Sequence, residues 1–212
     1  MNPKIERIFV LDQDTKIEAL VQLLPYIGGS LSTLYFGNKQ RIRFERLESF
    51  YKELVEELEK VKSSIASIDK HSEEELIALI EEVNDRVENE RINSKRKYYK
   101  NLFKNSLIHP VRNNFNERKY FVDLISQLTE LHFQIISKIV LAQKKIEINE
   151  FSIPGVDRTL IKGFIQQLNN YGILECEITK ISVIEGNSGI QNFEIVWPTE
   201  LGRKFHYYCF SK

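Results

Sequence analysis

Apolar side chains recur through most of this chain at the three-and-four spacing that marks one face of a helix. Ile17, Leu20, Val21 and Leu24 form a first short stripe, which Pro25 interrupts. The small, apolar stretch "YIGGSLSTLYFG" follows. From about Lys39 a long stripe runs through Ile42, Leu47, Phe50, Tyr51, Leu54, Val55, Leu58, Val61 and Ile65. Ser72, with Glu75 three residues on, reads as the capping box of the next helix. Its stripe is Leu76, Leu79, Ile80, Val83 and Val87. The pattern extends to Tyr98, Tyr99, Leu102 and Phe103, so one long helix is expected. Pro110 ends it within "HPVRNNFN".

Another helix is expected from Glu117 to about Ala142, on Tyr120, Phe121, Leu124, Ile125, Leu128, Leu131, Ile135 and Ile139. Asp157 then caps a shorter helix whose stripe is Leu160, Ile161, Phe164, Ile165 and Leu168, and Gly172 closes it. Beyond it the period changes to two. "ILECEITKISVIEGNSGIQNFEIVW" alternates in two runs around "GNSG", the signature of a β-hairpin. "TELGRKFHYYCF" closes the chain as a short helix. The fold is expected to be mainly α, of α+β type. A long-helix domain with an apolar N-terminal segment would span 1–110. A winged-helix-like module with its hairpin would span 117–212, and the boundary would fall near 109–116.

Composition adds little until charge is placed along the chain. With 42% hydrophobic and 28% charged residues the chain can bury a core, and its formal net charge of zero gives no global field toward nucleic acid. Locally the balance is steep. Residues 69–90 carry 2 basic and 9 acidic side chains, net −7, and residues 91–118 carry 8 and 1, net +7. On one long helix this dipole suits antiparallel self-association, so a homo-oligomer through the long helices is expected. Arg91, Lys95, Arg96, Lys97, Lys100 and Lys104 form a candidate basic surface. Cys176 and Cys209 are the only cysteines. Without a CxxC or a secretory signal they predict a reduced, cytoplasmic compartment.

Candidate chemistry is sparse. His71, His109, His132 and His206 are scattered, and no metal, phosphate-loop or nucleophile motif is present. No enzyme, cofactor or metal is therefore expected, and His132 within "TELHFQ" reads as a satisfied core histidine. Two segments invite functional readings. On the helix after Asp157, the outward residues Arg158, Thr159, Lys162, Gln166 and Asn170 are candidate DNA contacts. Only two of them are cationic, and the wing turn "EGNSG" carries an acid, so a plain solvated face is the preferred reading. The stretch "IEALVQLLPYIGGSLSTLYF" approaches bilayer length, but Glu18, Gln22 and Pro25 argue against spanning. Leu20, Leu24, Ile27, Leu31, Leu34 and Phe36 then form either a packed interface or a peripheral contact at the inner face of the membrane.

The C-terminal order carries a resemblance. Leu168, Tyr171, Gly172, Ile173 and Leu174, a hairpin, then Thr199, Gly202, Phe205 and Cys209 resemble the end of the bacterial abortive-infection alpha family. Proline, at 198, stands where that pattern has Leu or Val before the threonine. The likeness covers the C-terminal end well and the rest in outline. It implies a phage-defence context and no catalytic residues. The expected function is a non-enzymatic interaction protein with a membrane-touching N-terminal segment. The alternative is a winged-helix DNA-binding regulator dimerising through its long helices.

Overall fold

The computed structural model describes residues 38–64, 70–110, 114–183 and 190–211. The apolar segment with Leu20, Leu24, Ile27, Leu31, Leu34 and Phe36 lies outside the described residues, as does the "EGNSG" turn. The chain is mainly α with a small antiparallel sheet near its C-terminus, as its patterning predicts. It divides into two compact units, the first ending at Gln127 and the second spanning Leu128–Ser211. The expected boundary at 109–116 is thus displaced to the next turn along the chain.

The first unit holds helices α1 (Asn38–Lys60), α2 (Glu73–Asn89), α3 (Asn93–Ile108) and α4 (Phe115–Gln127). α2 and α3 each pack against both α1 and α4, which is why α4 belongs to this unit. The core is made by the predicted stripes, joined by Val122: Leu54 and Leu58, Leu76, Leu79, Val83 and Val87, Tyr99 and Leu102, Phe121, Leu124 and Ile125 are all buried. Each such side chain contributes about 1.5–3 kcal/mol relative to exposure.

The long dipolar helix expected over 72–103 is two helices. Glu90 and Ile92 are both extended, and the Glu90 carboxylate accepts a hydrogen bond from the Ile92 amide at 2.9 Å. Asn89, Asn93 and Ser94 around this break compete with helical bonding through their own side chains. The Ser72 capping box is also absent: Ser72 occupies the N-cap, but its side chain makes no capping hydrogen bond.

The second unit runs α5 (Glu130–Ala142), β1 (Ile146–Glu147), α6 (Arg158–Asn170), β2 (Leu174–Val183), β3 (Ile190–Pro198) and α7 (Glu200–Phe210). The expected helix 117–142 is broken at Leu128–Thr129, where Thr129 caps α5. The sheet order is β1-β3-β2, all antiparallel, with Ile146, Val196 and Cys176 in one row and a bulge between Ile178 and Lys180. β1 is two residues long, too few to show alternation in the sequence. Phe133, Ile136, Ile139, Ile161, Ile165, Leu168, Val196 and Phe205 form this unit's core.

Candidate functional site

α6 is built by local signals. The Asp157 carboxylate accepts hydrogen bonds from the amides of Thr159 (2.8 Å) and Leu160 (3.2 Å), and these bonds hold its pKa below the ordinary aspartate value. Gly172, with φ of +68°, takes the left-handed conformation that ends the turn after the helix. Ile161, Ile165 and Leu168 face the core. The opposite row, Thr159, Lys162, Gly163, Gln166 and Asn170, is exposed. It holds one cation and no carboxylate. A Cβ added at Gly163 would meet nothing within 4 Å, so the middle of the row is open. Gln166 donates to Asn170 at 3.3 Å, one turn on.

The helix is locked to the sheet by the residues of the C-terminal resemblance. The Thr199 hydroxyl caps α7 by accepting from the Gly202 amide at 2.8 Å, and it donates to the Gly172 carbonyl at 2.6 Å. The Thr199 amide donates to the Ile173 carbonyl at 3.1 Å. Gly202 approaches that same carbonyl so closely that a Cβ there would lie 2.0 Å from the oxygen. The glycine and threonine are therefore demanded by packing.

The sequence-predicted residues fare unequally. Thr159, Lys162, Gln166 and Asn170 share the outer row, whereas Arg158 is turned to the Asn149 carbonyl, to which it donates. The basic surface is the larger correction. Lys95 and Lys104 are buried, Lys95 on Glu90 at 3.1 Å and Lys104 near Glu57 at 3.6 Å. Lys100, with a mostly buried side chain, pairs with Glu53 at 2.8 Å. α3 is an interior helix, buried at every position from Asn101 to Leu107. Lys100 and Lys104 reach out along its flanks to Glu53 and Glu57 of α1. Arg91 and Lys97 stay exposed, and Arg96 is half-buried. On the other side of the unit, Lys119 and Arg86 meet Glu82 and Asp123 between α2 and α4 at 2.7–3.7 Å. Part of each charge block is thus paired within the chain, and the single dipolar helix from which antiparallel self-association was expected is two helices.

Neither His132 nor Cys176, among the described residues, is placed for nucleophilic work. His132 Nδ1 accepts from the Thr129 amide at 3.1 Å, which leaves the proton on Nε2 to be donated to Gln167 Oε1 at 2.8 Å. Its ring lies against Phe164, and burial lowers its pKa. This is the satisfied core histidine the sequence suggests, in a role it did not predict: closing the first turn of α5. The Cys176 thiol is pushed up to about 11 by burial and by Glu194 and Glu175, which leaves little thiolate at neutral pH. Among the described residues no cluster of three or more His, Cys, Asp or Glu could hold a metal ion, and no helix is long and apolar enough to cross a membrane.

Compared with known proteins, the chain matches no family model, no curated protein and no solved structure.

Proposed function

We propose that this is a non-catalytic interaction protein whose C-terminal, winged-helix-like module presents the outer row of α6 to a protein partner. The observation that carries the reading is the row itself: Thr159, Lys162, Gly163, Gln166 and Asn170, exposed, nearly neutral and open at Gly163. Polar side chains around an open glycine suit hydrogen-bonded, close backbone approach by another chain. A duplex reader draws its affinity from phosphate neutralisation, and here one cation of the row is not enough. The lysines of α3 give it little help, because carboxylates of the same chain hold three of them.

The setting follows from the resemblance to the abortive-infection alpha family: protection of a bacterial host against phage, with the N-terminal apolar segment as a peripheral membrane contact. Expression of the full chain should then lower the plating of at least one phage in a panel. Gly163→Arg combined with Gln166→Glu should remove the protection without changing the circular dichroism spectrum or melting temperature. Protection that survives in the folded variant would take α6 out of the reading. No protection against any phage would take away the defence setting.

A further inference from the structure

α1 and α3 enclose a cleft of about 330 Å³ in the first unit, walled by Phe50 and Glu53 from α1 and by Arg96, Lys97 and Lys100 from the first turns of α3. This volume is at the lower end of small-molecule sites. Its charge is not balanced. Glu53 is the single carboxylate of the lining, and it is taken by Lys100 at 2.8 Å. The Arg96 guanidinium is held by neutral acceptors: it donates to the Glu90 carbonyl at 3.0 Å and to the Asn93 side-chain oxygen at 2.9 Å. Glu90's own carboxylate is engaged by Lys95 and by the Ile92 amide. Lys97 is exposed and has no carboxylate within ion-pair distance among the described residues. Two cations therefore share one concavity with no carboxylate of their own, whereas Lys95, Lys100 and Lys104 of the same helix each have one.

The backbone points the same way. Asn93 and Ser94, the first residues of α3, also line the cleft. This end of the helix has no side-chain cap and no acidic residue in its first turn; Glu90, whose carboxylate bonds the Ile92 amide, spends its other oxygen on Lys95, so the terminus keeps part of its positive charge. An anion seated between Arg96 and Lys97 would meet two charged donors and the helix terminus together.

We infer that the cleft between α1 and α3 binds a small phosphate-bearing ligand through Arg96 and Lys97 at the start of α3. Arg96 is already pinned in place, which lowers the ordering cost of binding. Lys97 supplies the mobile contact, and the Phe50 wall leaves room for an apolar or aromatic part of the ligand. This inference does not depend on what α6 meets.

The test is calorimetry and thermal melting of the full chain with pyrophosphate and ATP as probes, sulfate as a charge control, and vesicles with and without phosphatidylglycerol. Saturable 1:1 binding of pyrophosphate or ATP, weakened at least about tenfold by Lys97→Glu, is expected, since a charge-assisted contact is lost. Asn93→Asp is the second variant. It keeps the acceptor for Arg96 but neutralises it, and it places a carboxylate in the first turn. It should raise the melting temperature without ligand and abolish the ligand-induced rise. A purely structural role for these residues would not produce that combination. The inference is overturned by no saturable binding at millimolar probe, by binding that both variants leave unchanged, by sulfate binding as tightly as the phosphates, or by binding to anionic vesicles alone.

Discussion

Two glycines show how differently one residue type is used in this chain. Gly202 sits where α7 crosses the Ile173 carbonyl, and an added methyl would lie 2.0 Å from that oxygen. Backbone must shift to admit it. Gly202→Ala is expected to cost about 2–4 kcal/mol, at or above the upper end of ordinary overpacking, read as a fall in urea midpoint. Gly163 is in the interior of α6 with open space above it. There, alanine removes the entropic cost of glycine without a clash, and Gly163→Ala should stabilise by about 0.5–1 kcal/mol. A destabilised Gly163→Ala would mean that the outer row is not free. The sequence pointed to Gly202 only through the family resemblance. The reason for it, a contact between residues 29 positions apart in the chain, is not written in any local pattern.

At the scale of elements, the stripes place nearly every helix, but they do not show where a helix breaks. Both missed breaks, at 90–92 and at 128–129, fall inside runs whose apolar period continues across the gap. The signals were small and polar: the Asn89, Asn93 and Ser94 cluster at one, Thr129 with His132 at the other. The second is a capping arrangement in which histidine stands where glutamate or glutamine is usual, so a search for the usual pair passes over it. Charge counted by block predicts a basic surface, whereas Lys95, Lys100 and Lys104 flank a buried helix and end on Glu90, Glu53 and Glu57. Lys104 is 2% exposed, with Glu57 3.6 Å away. Lys104→Met should fold with stability unchanged or raised, because the desolvation of the ammonium is removed along with the pair. Urea unfolding measures it, and a loss of more than about 2 kcal/mol would show the pair to be net stabilising.

For the whole molecule, the titratable groups predict an ordered response to acid. In the second unit, burial lowers the pKa values of His132 and His206 below the ordinary histidine value of about 6.5. The unfolded chain then binds protons that the folded unit refuses. The stability of the neutral histidines is complete above about pH 6.5 and is lost as pH falls through their lower folded values. In the first unit, Glu57 and Glu82 are held below the ordinary glutamate value, first by hydrogen bonds from Lys60 and Lys119. Their contribution is present above about pH 4.3 and is lost only below it. Trp197, the only tryptophan, lies on β3 and reports the second unit alone, with Lys145 stacked 3.8 Å over its ring. On lowering the pH from 7, the melting temperature followed by Trp197 fluorescence should begin to fall before pH 5. The main loss of helical ellipticity from the first unit should come later. Coincident loss of both signals below pH 4.5 would rule out the histidine contribution.

The central claim is that the outer row of α6 meets protein rather than nucleic acid. The most direct measurement is to place a photo-crosslinking side chain at Gly163, where an added Cβ meets nothing within 4 Å, and irradiate the protein in the cells that carry it. The account predicts a discrete protein adduct that is absent when the same group is placed at exposed Glu150 and is lost on adding Gln166→Glu. An adduct with DNA would contradict it and identify α6 as a groove-reading helix, and the absence of any adduct at Gly163 would leave the row as a solvated face.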